Sequence, residues 1–239
     1  MQGRYTIALC DILGFSDLVK RTDLRTLVDT SLAWLRRSLH HSMHKNNFPA
    51  EVPTIEELNA HQKLGIAWFS DTLLMYTRMD EDDAVLELFQ TVGWLLFETM
   101  FNGGTRFRAG IAHGEAFIDA TNSMYVGEPI IEAHRMEECQ NWSGAALCPS
   151  ALKRTPAYAQ NGEYADWWII PYSVPTKSGV CETLAINWTT GIHKPSAFLP
   201  WSSESPEPTV ADWEARRPEC EKWRNTKTFH DHVCRHCNR

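Results

Sequence analysis

Cys10-Asp11-Ile12-Leu13-Gly14-Phe15-Ser16-Asp17 is the stretch from which the fold follows. The apolar run Tyr5 to Leu9 precedes it and predicts a strand over residues 4–11. The strand ends on Asp11, Gly14 lets the chain turn back, and a helical pattern opens at Phe15. A carboxylate at the end of a buried strand is costly unless a positive group meets it, and a metal ion bound to phosphate is one such group. Phe69-Ser70-Asp71-Thr72 is the second half of the argument, a carboxylate between two apolar runs. Two Asp residues on adjacent strands can hold a pair of metal ions over a triphosphate.

Outward from this stretch the pattern alternates. Residues 15–21 predict a short helical turn. Thr22-Asp23 then offers a cap for a helix over about 23–45, with Leu24, Leu27, Val28, Leu32, Leu35 and Leu39 on its buried face. His40, His41 and His44 cluster near its end. They suit the negative end of the helix dipole, with a zinc site as the sharper reading. Residues 47–60 read as a polar loop. Leu64–Phe69 and Thr72–Thr77 read as a hairpin with Ser70-Asp71 at its tip. An acidic start at 80–83 opens a helix to about Asn102, ended by Gly103-Gly104. Arg106–His113 and Glu115–Asp119 read as strands, and Gly127-Glu128-Pro129 starts a helix with Pro in its first turn. Residues 145–148, 167–170 and 183–187 are shorter strand candidates. The expected class is α+β, an antiparallel sheet with helices packed on it.

The chain of 239 residues is long enough for one sizeable core. An apolar content of 43% and a charged content of 22% are ordinary globular values. A net charge of -7 argues against a nucleic-acid partner. No run is apolar enough to span a bilayer, and no signal peptide opens the chain. Seven Cys without a secretory signal read as reduced thiols in a cytoplasmic protein. Composition shifts near residue 190, which divides the chain into a domain over 1–189 and a C-terminal extension over 190–239. The extension carries Cys220, His230, His232, Cys234, His236 and Cys237, where zinc is an open possibility.

Four motifs in register carry a resemblance over roughly residues 4–150. Asp11-Ile12-Leu13-Gly14-Phe15 and Phe69-Ser70-Asp71-Thr72 resemble the two metal motifs of class III nucleotidyl cyclases. Phe107 to Gly114 is similar to that family's Arg-x-Gly-Ile-x-x-Gly strand. Gly127 to Met136 is similar to its Gly-x-x-Val-Asn-x-x-x-Arg helix. The small stand-alone form looks most like the pyrimidine cyclases of bacterial anti-phage (Pycsar) defence. Purine cyclases carry a base-reading Lys four residues before the second metal Asp, and Ala67 stands there. The family's Asn is Ile131.

The resemblance implies a ferredoxin-like palm and a reaction that turns UTP into 3′,5′-cyclic UMP and pyrophosphate. CTP, a purine triphosphate, and nucleotide binding without turnover are the alternatives. Asp11 and Asp71 would hold two Mg²⁺ or Mn²⁺ ions, with the Ile12 carbonyl as a further ligand. Amides from Leu13 through Gly14 to Phe15 would face the β- and γ-phosphates, and Arg108 is a candidate for the triphosphate. Arg135 would meet the α-phosphate from the second protomer of a homodimer whose sites lie at the interface. Arg4 and Tyr5 are candidates to touch the base. A separate effector would read the cyclic product.

Overall fold

The computed structural model describes residues 1–45, 48–100, 105–156, 168–189 and 218–237. Strand β1 (Gln2–Ile12) leads into α1 (Phe15–Arg21). A further helical stretch follows as α2 (Leu24–Leu27), a π-turn (Val28–Leu32) and α3 (Ala33–His44). Asp23 caps α2 by accepting from the Thr26 N–H at 3.0 Å. After α4 (Ile55–Asn59) come β2 (Leu64–Phe69), β3 (Thr72–Thr77) and α5 (Asp82–Glu98). Then follow β4 (Phe107–Asp119), β5 (Met124–Gly127), α6 (Glu128–Cys139), β6 (Gly144–Leu147) and α7 (Pro149–Arg154). The hairpin β7 (Ile169–Thr176) and β8 (Gly179–Ile186) precedes α8 (Pro218–Cys237).

The sheet runs β2-β3-β1-β4-β6-β8-β7, with β5 paired to β4. The α+β expectation holds. The first four strands take the ferredoxin-like order, with β1 antiparallel to both β3 and β4. One pair departs from an all-antiparallel sheet: β6 runs parallel to β4, because α6 crosses over between them.

Alternation along β1 sends Ala8, Cys10 and Ile12 into the larger core beneath α3 and α5. Tyr5, Ile7 and Leu9 go to the opposite face, where α6 lies. Asp11 continues that second series, so its carboxylate is on the α6 face. Helix α6 lies unusually close to β4: a Cβ on Gly110 would sit 2.0 Å from the Ala133 carbonyl oxygen. Only glycine permits that approach, and the approach sets how far α6 side chains reach across the sheet.

Several elements differ from the expected pattern, β7 and β8 among them, which run longer than the candidates at 167–170 and 183–187. The loop at 47–60 contains α4, held by a capping box in which Thr54 and Glu57 exchange side-chain and backbone bonds. The two strand pieces at 106–119 are one strand, continued by β5 as a hairpin. The helix expected over 23–45 changes to π geometry at Val28–Leu32. Helix α7 follows β6 directly, with Pro149 in its first turn. The expected stop at Gly103-Gly104 and the start of the strand at Trp167 lie outside the described residues.

Within α8, Phe229 and Val233 enter the main core, and the Thr226 hydroxyl accepts from the Ser143 N–H at 2.8 Å. Cys220 is 2% exposed and His230 is fully buried, stacked on Trp188. The side chains of Cys234, His236 and Cys237, part of the zinc reading of the tail, lie outside the described residues. Among the described residues no group of three or more His, Cys, Asp or Glu is placed to hold a metal ion. His44 instead meets two other imidazole rings, tilted against His40 with centroids 4.4 Å apart and edge-on to His61 at 5.3 Å. No described helix is long and apolar enough to cross a membrane.

Candidate active site

Asp11 is the penultimate residue of β1, opposite Thr72 of β3 and Arg108 of β4. Asp71 is the second residue of the two-residue turn joining β2 to β3, preceded by Ser70 at φ 56. The Ile12 N–H donates to the Asp71 carbonyl at 3.1 Å, which stitches the hairpin tip to the end of β1. The two carboxylates are therefore neighbours. Asp71 is close enough that its charge helps raise the Asp11 carboxyl above the usual range, though burial is the larger cause.

Arg108 is the positive group beside this pair. Its Nη2 lies 3.2 Å from Asp11 Oδ2, and its side chain is only 13% exposed. Its Nε is ion-paired with Glu137 of α6, whose side chain is 3% exposed. Nη1 donates to the backbone carbonyls of Glu138 and Gln140 at 3.4 Å and 3.3 Å. Burial, assisted by the charge on Asp11, pushes the Glu137 carboxyl up to about 7 despite the guanidinium. Two carboxyl groups thus share one arginine while Asp71 adds its charge beside them, and bound cations are a natural complement to that imbalance. Burial also pushes the adjacent Cys10 thiol up, so it is inert as a nucleophile here.

Gly14 takes φ 78, a left-handed conformation that suits glycine, and its carbonyl accepts from the Asp17 and Leu18 N–H groups. Phe15 packs against the main core. The Leu13 N–H is already committed to the Arg106 carbonyl at 2.8 Å, which leaves Gly14 and Phe15 as the candidates from this turn.

Arg135 is exposed on α6 and, among the described residues, makes no ion pair. It stands two residues from Glu137, about 200° around the helix. Glu137 points into the sheet and Arg135 away from it. The structure therefore does not bring Arg135 to Asp11 of its own chain.

Tyr5 lies six residues back along β1, roughly 20 Å from Asp11 at the usual rise of a strand. It is 7% exposed, and its hydroxyl donates to the Met1 carbonyl at 3.1 Å. Arg4 contacts His113 and Asp80 on the other face of the sheet. The structure brings neither to the carboxylates. Ala67 and Leu74 pair across the hairpin on the α6 face, near Asp71, and present no side-chain hydrogen-bonding group there.

Glu137 is the functional candidate that sequence reasoning missed. The signal was present: Pro129, Ala133 and Glu137 share one stripe of α6, and an acid on a buried stripe needs a partner.

No family model matches the chain, and no curated protein matches it. Solved structures do. The guanylyl cyclase Cya2 aligns at 13% identity and a TM-score of 0.48, covering 78% of this chain and 91% of that one. Adenylate cyclases from Trypanosoma brucei align at 14% identity and a TM-score of 0.48, covering 79% and 91%. An adenylate/guanylate cyclase/hydrolase from Silicibacter pomeroyi aligns at 14% identity and a TM-score of 0.43, covering 78% and 97%.

Proposed function

We propose that this chain is a nucleotidyl cyclase converting a nucleoside triphosphate into its 3′,5′-cyclic monophosphate and pyrophosphate. The observation that carries the reading is the juxtaposition of Asp11 and Asp71 at one end of the sheet, with charge in excess of what Arg108 neutralises. The donor set fits the group it would hold. Two carboxylates and the Ile12 carbonyl are hard oxygen ligands, the kind Mg²⁺ and Mn²⁺ prefer. Two such ions, when bound, neutralise phosphate charge and lower the pKa of the attacking 3′-hydroxyl.

The chain's own groups supply position and charge. Asp11 at the end of β1 and Asp71 at the hairpin tip would hold the ions. Gly14 and Phe15 border the polyphosphate. Arg108, drawn between Asp11 and Glu137, offers positive charge to the departing pyrophosphate. Arg135 stabilises charge at the α-phosphate, as an arginine finger does. Because Arg135 faces away from Asp11 of its own chain, it acts in trans. The reading therefore requires a homodimer with a site at each end of a two-fold interface.

The preferred substrate is UTP, with CTP next. Support comes from Ala67, a small apolar residue where a purine-reading Lys would stand, and from the resemblance to pyrimidine cyclases. On the same resemblance the cyclic product is a cytoplasmic second messenger for a separate effector in anti-phage defence.

The test is incubation of the purified protein with Mn²⁺ and each of the four ribonucleoside triphosphates, with mass-spectrometric product detection. Cyclic UMP in excess of other products is expected. Cyclic AMP or cyclic GMP as the main product replaces the substrate reading. No cyclic product from any triphosphate replaces the enzyme with a nucleotide-binding module.

A further inference from the structure

A groove of about 720 Å³ lies beside the hairpin tip, on the opposite face of the sheet from Asp11. Its walls are the first turn of α1, the π-turn, the start of α3, the start of α4, and the β2–β3 tip. Most of its lining is apolar, with the aromatic rings of Phe15 and Trp68 and the aliphatic Val28, Leu32 and Ile55. Its volume falls in the range that takes a small organic ligand.

Two arginines line the same groove, and they differ. Arg25 is neutralised at the rim by Asp29, with Nε 2.6 Å from Oδ2. Arg36 makes no ion pair among the described residues. One of its terminal nitrogens donates to the Pro53 carbonyl, but its Nε is buried without a hydrogen-bond partner. Glu57 feels the charge of Arg36, yet its carboxylate is bound to the Thr54 N–H at 2.6 Å in the capping box. A half-buried guanidinium lining an apolar groove, with no direct ion pair among the described residues and a buried Nε without a hydrogen-bond partner, has hydrogen-bonding capacity left unused. The π-turn is a second departure from regular geometry on the same wall. It leaves Val28, 53% exposed, facing the groove rather than the core.

We propose that this groove binds a small aromatic molecule carrying one anionic group, its ring system between Phe15, Trp68 and Val28 and its anion on Arg36. Charge complementarity selects this occupant. The apolar lining matches a ring, and Arg36, without an ion pair among the described residues, matches a single negative charge. The groove's walls include Ser70 and Phe15, neighbours of Asp71 and Gly14, so an occupant touches both segments that carry the metal-binding motifs. The binding claim stands apart from the cyclase reading.

The probe is 8-anilinonaphthalene-1-sulfonate, an aromatic sulfonate whose fluorescence rises in apolar sites. The full-length protein is expected to bind it saturably. Arg36→Met weakens binding about tenfold, the scale of a lost charge-assisted hydrogen bond, and Arg36→Lys recovers part of it. Val28→Glu places a carboxylate on the wall at an exposed position and abolishes binding while circular dichroism is unchanged. The uncharged N-phenyl-1-naphthylamine binds about tenfold more weakly than the sulfonate. Equal binding of the two dyes, or sulfonate binding unchanged in Arg36→Met and Val28→Glu, overturns the proposal. Displacement by Mn²⁺-triphosphate would put the dye in the carboxylate site and also overturn it. A change of oligomeric state in Val28→Glu would make the groove a contact between copies, with the same consequence.

Discussion

At the scale of single residues, the site is a charge imbalance held by backbone geometry. Asp71→Ala removes one carboxylate of the proposed metal pair from a half-exposed turn and leaves the core untouched. It is expected to fold, to form no cyclic product, and to lack the rise in melting temperature expected of the parent protein with Mn²⁺; retained turnover in a product assay would contradict the assignment. Arg108→Ala is different in kind. It leaves Asp11 and the nearly buried Glu137 without their counter-ion, and breaking a buried pair from one side costs about 3–5 kcal/mol. A urea titration reads that loss directly. The positions of Asp11 and Asp71 were legible in sequence, since each follows an apolar run and borders a turn. Sequence alone gives Arg108 as a triphosphate candidate. Its ion pair to Glu137 depends on α6 lying over β4, and no local pattern encodes that.

Single elements act here through how closely they pack. Helix α6 sits where Gly110 allows, with the Ala133 carbonyl 2.0 Å from any Cβ that might be added there. Gly110→Ala must push the helix outward. A loss of about 1–3 kcal/mol is expected, together with a fall in activity, because Glu137 and Arg135 ride on the same helix. Calorimetry and the product assay measure the two effects separately. The β2–β3 hairpin carries smaller strain at Ser70, whose φ of 56 is left-handed. Ser70→Gly is expected to stabilise the fold by about 1 kcal/mol, read by thermal unfolding. The hairpin's boundaries matched the two apolar runs residue for residue, because both are bounded by a polar tip. Helix α4 did not stand out within a polar stretch of the chain. Its capping box, Thr54 to Glu57, is a readable signal that the hydrophobic pattern around it does not reinforce.

The whole molecule adds two properties. If Arg135 completes the partner's site, mixing Asp71→Ala with Arg135→Ala chains restores one intact site per mixed dimer. Recovery of about a quarter of the parent activity is expected from random pairing, and none if each chain is self-sufficient. The second property is acid sensitivity. Burial lowers the affinity of His44, His61, His113 and His230 for protons, so all four are neutral in the fold. The unfolded chain takes up those protons below about pH 6.5, so stability falls on acidification from that point. His61 is the sharpest case, since its Nδ1 accepts from the Lys63 and Leu64 N–H groups at 3.3 Å and 3.1 Å and loses both on protonation. Glu137 works in the opposite sense. Its raised carboxyl keeps a proton in the fold until about pH 7, so its contribution is present at low pH and lost as pH rises through 7. Denaturant unfolding between pH 5 and 8 should show a histidine-dominated acid limb, reduced in His61→Gln. Local patterning was enough for the class of the fold, the strand that carries Asp11 near its end and the hairpin that presents Asp71, because apolar runs and turn chemistry are properties of neighbouring residues. The crossover that makes β6 parallel to β4, the return of α8 into the core, the partnership of Arg108 with Glu137 and the outward aim of Arg135 come from contacts between residues far apart in the chain. Their geometry exists only after the sheet has closed and the helices have settled on it.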